Sequence, residues 1–261
     1  MSAGSEVAPR TVDLNCDAGE GFGPWRMADD DALLDVVTTV SIACGFHAGD
    51  PLIMRRTVAA AVLRGVAVGA HPGTNDLWGF GRRGVAGEDA ESLATMVVYQ
   101  VGALAAIAQA EGARLTHVKL HGALSNAAAA DAELASAVAS ALRRLDASLA
   151  WLVPCGSAMA AAGAAAGLRT VGEAFADRGY TADGRLVDRR APGAVLDDPD
   201  VVASRAVAML AEGGVRAGGG EWVPLAVESL CVHGDSPNAV AAALAARRAL
   251  ERAGVEVRRF A

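Results

Sequence analysis

The sequence predicts an α/β fold, a single TIM-type (β/α) barrel of about seven parallel strands. Short apolar runs alternate with helical segments along all 261 residues, without a linker or a change in composition. Such alternation is typical of a parallel sheet joined by right-handed crossovers. Polar residues follow almost every predicted strand. This favours a closed barrel over a doubly wound open sheet, in which polar residues gather at one crevice.

The predicted strands are short apolar or alternating runs, each bounded by glycine, proline or polar residues. In chain order they cover residues 11–17, 40–44, 66–70, 115–120, 149–153, 168–175 and 223–232, with a final strand over 255–260. The first run alternates apolar and polar side chains, so Asp13, Asn15 and Asp17 share one face if the strand is regular. The other runs are mostly apolar, as expected of strands that are covered on both faces.

Apolar residues at helical spacing predict helices between the strands. The helices cover residues 29–38, 51–64, 88–110, 131–145, 157–166, 200–211 and 236–252. The second helix is marked most clearly, because Asp50 and Pro51 fit its N-cap and first position and Gly65 ends it. Glycines, prolines and polar residues predict loops over 18–24, 74–87 and 176–193.

Composition and the amino terminus argue against several classes of protein. The net charge of −7 disfavours a nucleic-acid partner held by a basic surface. Residues 1–10 lack the basic and apolar regions of a secretory signal, so we expect a flexible tail before one domain at 11–261. The apolar run 158–168 is too short to cross a membrane. We therefore expect a cytoplasmic protein without a membrane partner, whose widely spaced cysteines are buried thiols.

Charged and imidazole side chains follow the predicted strands. In a parallel barrel the carboxyl ends of the strands meet on one face, where such folds carry their catalytic residues. The catalytic candidates are Asp17, Glu20, His47, His71, Lys119, His121, Glu173 and His233. The candidates for binding a substrate or nucleotide are Asp13, Asn15, Asp50, Arg82, Arg83, Asn126, Asp177, Arg178 and Asp235. The signal is the repeated pattern, since any one histidine could be structural.

These residue types fit more than one chemistry. Carboxylates with neutral imidazoles suit general acid–base catalysis on a water molecule. Asp17, His47 and His71 would also make a two-histidine, one-carboxylate metal site, which their spacing neither supports nor excludes. The lack of a G-x-S-x-G elbow disfavours acyl-enzyme chemistry. Lys119 needs a carboxylate or an anionic ligand, because an unpaired buried ammonium is costly.

Purely structural roles compete with the functional ones at several positions. Asp50 could act only as a helix cap. Asp177 and Arg178 could form an ion pair with each other. Arg82 and Arg83 could be solvated, and an anion-binding role is equally compatible with their glycine-rich loop. These alternatives stay open at the level of the sequence.

A series of short motifs follows in order between about residue 11 and residue 257. They are Asp13-Leu-Asn-Cys-Asp-Ala-Gly-Glu20, Ile42-Ala-Cys-Gly-Phe-His-Ala-Gly-Asp-Pro51, Gly69-Ala-His-Pro-Gly73, Gly79-Phe-Gly-Arg-Arg83, His117-Val-Lys119, His121-Gly-Ala-Leu124, Glu173-Ala-Phe-Ala-Asp-Arg178 and Cys231-Val-His-Gly-Asp235. Together they resemble the LamB/YcsF family. The chain differs from the usual pattern of that family at Ser41, Leu120 and Ser125, where Asn, Pro and Tyr are common. These positions adjoin site candidates, so substrate range or turnover could differ here.

The resemblance implies a seven-stranded barrel akin to polysaccharide deacetylases. It also implies the A subunit of an ATP-dependent 5-oxoprolinase, which hydrolyses 5-oxo-L-proline to L-glutamate together with subunits B and C. ATP with Mg²⁺ is then expected, without an organic cofactor. Joined to that activity, the residues divide into cations for phosphate (Lys119 with Arg82, Arg83 or Arg178), bases (His47, His71 or Asp17) and acids (His233 or His121). The alternatives are a metal-dependent amidohydrolase or deacetylase and a non-catalytic substrate-binding subunit.

Overall fold

The computed structural model describes residues 10–234 and 238–260, and strands alternate with helices along this part of the chain. The strands are β1 (Thr11–Ala18), β2 (Thr39–Ala43), β3 (Ala67–His71), β4 (His117–Lys119), β5 (Ala150–Pro154), β6 (Arg169–Phe175), β7 (Gly214–Arg216), β8 (Trp222–Pro224), β9 (Ser229–Cys231) and β10 (Glu256–Val257). The helices are α1 (Asp30–Leu34), α2 (Pro51–Leu63), α3 (Ala90–Ala110), α4 (Gly122–Ala130), α5 (Ala132–Leu145), α6 (Ala158–Ala165), α7 (Pro199–Glu212) and α8 (Ala239–Arg252). Most of the expected tail, the site candidate Asp235 and the expected start of the last helix lie outside the described residues.

Strands β1 to β6 and β9 close into a seven-stranded parallel barrel. Each of the first six pairs with the next in the chain, and β9 pairs with both β6 and β1. Closure can be followed at Ser229, which lies opposite Glu173 of β6 on one side and Asp13 of β1 on the other. The predicted fold class is confirmed, and the carboxyl ends of all seven barrel strands share one face.

The alternation along β1 separates the hydrophobic core from a polar barrel interior. Leu14 and Cys16 are fully buried in the hydrophobic core. Asn15 and Asp17 instead reach across the barrel, to Glu173 of β6 and to Lys119 of β4. The predicted inward face of the first strand is therefore present, and it carries the polar residues into the site.

Helix α3 is long and apolar enough to cross a membrane, by length and composition alone. It is instead part of the ring of helices around the barrel. Leu93, Val97, Val101 and Leu104 are buried in the hydrophobic core of this ring. In the part of the chain that the structure describes, it is the one helix that passes this test.

Three predicted elements differ from the observed ones. The stretch 223–232 divides into β8, which pairs with β7 in an antiparallel hairpin, and the three-residue barrel strand β9. Helix α4 was not predicted, because Gly122 is a poor helix former and the N-cap His121 makes no side-chain capping bond. The final strand shrinks to Glu256 and Val257 beside β1. Arg10, expected in the flexible tail, accepts a hydrogen bond of 2.9 Å from the backbone N–H of Glu256.

Candidate active site

A cleft of about 1390 Å³ opens at the carboxyl ends of the barrel strands. The predicted catalytic residues that line it are Asp17, Glu20, His71, Lys119, His121, Glu173 and His233. His47 is fully buried and stacks on the ring of His121, with 3.8 Å between the ring centroids. It is therefore placed behind the cleft wall, where it is not positioned to act as a base on a substrate in the cleft.

Lys119 is the centre of a buried polar network at the floor of the cleft. Its Nζ lies 2.8 Å from Asp17 Oδ1, 2.8 Å from Glu173 Oε1 and 3.3 Å from the side-chain oxygen of Asn15. Cys231 Sγ also accepts a hydrogen bond of 3.1 Å from it. Burial by itself lowers the pKa of Lys119, but the charges around it, Asp17 first, outweigh burial and hold the pKa well above its usual value. Lys119 is therefore an ammonium at neutral pH and acts through its charge, not as a base.

Sequence reasoning missed a simple sign of this role. Lys119 is the only lysine of the chain, and every other basic side chain apart from the histidines is an arginine. A compact ammonium can donate to several oxygens in different directions, whereas the planar arginine fork suits a bidentate partner. The lone lysine therefore occupies a position where a point charge is needed among several acceptors.

Three histidines and a glutamate lie together at one wall of the cleft. The Nδ1 of His71 donates to the carbonyl oxygen of Lys119 (2.8 Å), and the Nε2 of His121 donates to that of Phe80 (2.8 Å). Their other ring nitrogens lie 3.0 Å apart. Glu20 Oε1 lies 3.4 Å from His121 Nδ1 and 3.4 Å from His47 Nε2. These four side chains form one compact group, which we call the histidine cluster.

Burial and charge set the protonation of the cluster. Burial lowers the pKa of His47 and of His121, and neighbouring imidazoles lower both further, so these rings are neutral at pH 7. Burial acts in the same direction on His71, but Asp17, whose Oδ2 lies 3.4 Å from His71 Nε2, outweighs it and raises the pKa of His71. In turn, His71 and Lys119 overcome the effect of burial and hold the pKa of Asp17 well below its usual value.

Asp177 and His233 form a second pair on the opposite side of the site from the histidine sequence motifs of β2 and β3. The Nδ1 of His233 donates to Asp177 Oδ2 over 2.8 Å, and its backbone N–H donates to the same oxygen over 3.1 Å. The ring also stacks on Phe175 at 5.4 Å. Although burial raises the pKa of Asp177, His233 outweighs burial and lowers it. This arrangement fixes the ring and leaves Nε2 as the nitrogen available to a substrate.

The family model described as the LamB/YcsF family matches residues 12–261. The chain belongs to this family. Among its curated relatives, the second of the 5-oxoprolinase A subunits of Bradyrhizobium diazoefficiens is 50% identical over 251 residues, which cover 96% of this chain and 98% of the relative. The 5-oxoprolinase A subunit of Symbiobacterium thermophilum is 53% identical over 248 residues, 95% of each chain. The family that the motifs predicted is confirmed.

Solved structures lead to the same family. The lactam utilization protein of Thermus thermophilus superimposes with a TM-score of 0.90 at 45% identity, over 96% of this chain and all of the other. The catalytic domain of a peptidoglycan N-acetylglucosamine deacetylase from Eubacterium rectale gives a TM-score of 0.53 at 11% identity, over 98% of this chain and 90% of that one. The second likeness concerns the fold alone, a deacetylase-like barrel, as predicted.

The predicted binding residues of this LamB/YcsF protein have different surroundings. Arg82, Arg83, Asn126 and Arg178 line the cleft. Arg83 is paired with Asp76 on its own loop, whereas Arg178 donates to the carbonyl oxygens of Ala194 and Val187. Asp177 pairs with His233, so the proposed ion pair between Asp177 and Arg178 is not the main contact of either residue.

Two predicted binding residues have structural contacts instead. Asp50 caps helix α2 by accepting hydrogen bonds from the backbone N–H groups of Leu52 and Ile53, and its other oxygen accepts from Gly23. It does not line the cleft, which agrees with the structural alternative. Asp13 is buried in the barrel below the site and accepts hydrogen bonds from Thr38, Thr39 and Ser229.

The structure adds one positioning residue that sequence reasoning missed. Gln100 of α3 is fully buried, and its amide donates to the carbonyl oxygen of Gly73 and accepts from the N–H of Gly73. Gly73 packs against His47, because a Cβ there would lie 2.5 Å from His47 Nδ1. The signal was present in the sequence, since Gln100 interrupts the apolar face formed by Val97, Val101 and Leu104.

Asp13 makes stability depend on pH. Burial raises the pKa of Asp13 from 3.8 to about 6, against the hydrogen bonds from Ser229, Thr38 and Thr39. Between these values the folded chain binds more protons than the unfolded chain, so this group stabilises the fold as pH falls through 6. We expect the wild-type chain to lose about 3 kcal/mol relative to Asp13→Asn between pH 4 and pH 8. Urea unfolding of both proteins across this range measures it, and a constant difference between them would contradict it.

Proposed function

We propose that this chain is the A subunit of an ATP-dependent 5-oxoprolinase, acting in the cytoplasm with partner subunits B and C. Its substrate is 5-oxo-L-proline, and the product is L-glutamate, with Mg²⁺ accompanying the nucleotide. The observation that carries the proposal is the 50% identity over 251 residues with a protein named as a 5-oxoprolinase A subunit. The neighbour named for lactam utilization, at 45% identity, agrees with a cyclic amide as substrate.

The cleft suits a small lactam together with an anionic group. Its volume of about 1390 Å³ exceeds the roughly 300–1,000 Å³ of ordinary small-molecule sites. Arg82 and Arg178 line it, as do the first residues of helices α4 and α6. Neither helix has a side-chain capping bond at its N-terminus, so their N–H groups are suited to phosphate or carboxylate oxygens. These groups support nucleotide binding in or beside this cleft.

The polar network suits opening of the ring amide. ATP supplies the driving force and the activation of the amide oxygen. The ammonium of Lys119 is fixed in a buried place by Asp17 and Glu173, where it can stabilise negative charge that develops on that oxygen. His233, oriented by Asp177, can take a proton from the attacking water at Nε2 and return it to the ring nitrogen that leaves. That nitrogen becomes the amino group of glutamate.

The test is glutamate and ADP formation from 5-oxoproline and ATP. Three mixtures are compared: this chain alone, the partner proteins alone, and all of them together. We expect glutamate only from the complete mixture, with one ADP formed per glutamate if the two reactions are tightly coupled. Absence of glutamate from every mixture would contradict the proposal and would direct attention to Ser41, Leu120 and Ser125.

A second candidate function is a metal-dependent amide hydrolase that needs no ATP. One observation favours it, namely the histidine cluster at the cleft wall. The same assay separates the two candidates, because this hydrolase would form glutamate or another amide product without nucleotide. Activity of the chain alone that is unchanged on omission of ATP would favour the second candidate.

A further inference from the structure

The histidine cluster draws one nitrogen or oxygen atom from each of four neighbouring strand ends. Glu20 follows β1, His47 follows β2, His71 ends β3 and His121 follows β4. Their ligand-type atoms all lie within 4.8 Å of one another, and all four side chains are buried. We propose that this cluster is a site for one divalent transition-metal ion of the zinc class, with the ligands Glu20, His47, His71 and His121.

The spacing of the atoms fits tetrahedral coordination. Bonds of about 2.0–2.2 Å from zinc to nitrogen and oxygen place neighbouring ligand atoms about 3.3–3.5 Å apart. The observed separations are 3.0 Å between His71 Nε2 and His121 Nδ1, and 3.4 Å from Glu20 Oε1 to both His121 Nδ1 and His47 Nε2. The remaining measured edge, from Glu20 Oε1 to His71 Nε2, is 3.9 Å. An ion therefore fits with small movements of the side chains.

The outer contacts of the ligands orient them toward a common point. His71 donates through Nδ1 to the carbonyl oxygen of Lys119, and His121 donates through Nε2 to that of Phe80. A carbonyl oxygen only accepts, so these bonds place a hydrogen on the outer nitrogen of each ring. The inner nitrogens are then left to face the cluster. Histidines that bind metals are usually held in this way by an acceptor on their other ring nitrogen.

His47 supplies the independent sign of a ligand. It is fully buried, and neither of its ring nitrogens has a hydrogen-bond partner among the described residues. Buried polar atoms without a partner are rare because leaving them so is costly. A Cβ at Gly73 or Gly81 would lie within 2.7 Å of His47 atoms, so the loops around the ring leave it little space to turn away. A metal bond at Nε2 gives this nitrogen the partner that it lacks.

The other group of metal-type residues in the described chain does not have these properties. It consists of Asp17, Cys231 and His233. Lys119 donates to both Asp17 and Cys231, so a cation already occupies their ligand atoms. The histidine cluster has no lysine among its contacts, and with four protein ligands it fills a tetrahedron. We therefore expect its ion to hold the four strand ends together, because a catalytic zinc site would keep one position open.

The proposal is tested by metal binding, not by turnover. The full chain, purified without chelator, is analysed for metal by mass spectrometry, and the metal-free chain is then titrated with Zn²⁺ and with Co²⁺. We expect one ion per chain, visible absorption typical of four-coordinate cobalt, and a higher thermal unfolding midpoint with Zn²⁺. No bound ion, together with no response to either titration, would overturn the proposal while leaving the proposed function standing.

Matched variants locate the site. His47→Ala and Glu20→Gln are expected to weaken Zn²⁺ binding by more than about 100-fold, since loss of an outer contact alone costs about 10–100-fold. His117→Gln is the control, because this buried histidine contacts Ser41 and Thr116 instead of the cluster. Equal loss in the control, or loss only in His233→Asn, would overturn the assignment. Circular dichroism at the binding temperature restricts the comparison to folded variants, and Glu20→Gln keeps the shape of the side chain.

Discussion

The Lys119→Met variant is expected to lose about 3–5 kcal/mol of stability, the cost of breaking a buried ion pair by removing one partner. The wild-type ammonium lies 2.8 Å from both Asp17 and Glu173, which are themselves buried. Methionine fills a similar volume but leaves two carboxylates without their main counter-charge. Urea unfolding at pH 7 measures the change. The deficit should shrink as pH falls, because protonation neutralises the carboxylates that the variant leaves unpaired.

The same variant is expected to lower kcat for glutamate formation in the complete mixture by at least about 100-fold, the effect of removing one preorganised electrostatic group. The double variant Lys119→Met, Glu173→Gln separates the two roles of the residue. It removes one of the unpaired charges, so it should regain part of the stability without regaining activity. Recovery of both stability and turnover in the double variant would mean that Lys119 is only structural.

A non-catalytic binding subunit predicts a different pattern for these variants. Turnover would then follow the fraction of folded chain and nothing else. At a temperature where Lys119→Met remains folded by circular dichroism, its kcat would equal that of the wild type. The two readings are therefore distinguished by measuring folding and turnover on the same samples.

The order of strands and helices could be predicted because each βα unit leaves its own pattern in the sequence. The hairpin of β7 and β8 and the barrel strand β9 could not be separated in this way. Each has three residues, which is too short for any periodicity, and their pairing is set by backbone hydrogen bonds to distant strands. Tertiary pairing thus decided what the local pattern left open.

The site shows the same division between pattern and partner. The rule that polar residues gather at the carboxyl ends of barrel strands identified the histidines and carboxylates correctly as neighbours of the cleft. It did not tell which carboxylate joins the histidines. Asp17 lies on the inward face of β1 and is held by Lys119, whereas Glu20 follows Gly19, whose φ of 67° turns the chain toward the histidine cluster. A single positive φ separates the two roles, and no sequence spacing records it.

The His233→Asn variant is expected to lower kcat by about 10²–10⁴-fold, the usual contribution of a general acid–base group. Little stability should be lost, because His233 is at the cleft surface and an asparagine amide can still donate to Asp177. Asp177→Asn should lower kcat less, because the ring that transfers the proton remains. It should also move the acidic limb of the pH–rate profile to lower pH, since the negative charge beside the imidazole is gone.

The double variant decides whether the two residues act together. Asp177 reaches the reaction only through the ring that it orients over 2.8 Å, so it has no effect to lose once that ring is absent. Asp177→Asn, His233→Asn should therefore be no slower than His233→Asn alone, as is found for groups that work as a unit. Rates are compared at saturating 5-oxoproline and ATP, and thermal midpoints check that every variant is folded. If the losses of the two single variants multiply, Asp177 has a separate role, and the proton must be carried by another group at the cleft, of which His71 and His121 are the nearest in kind.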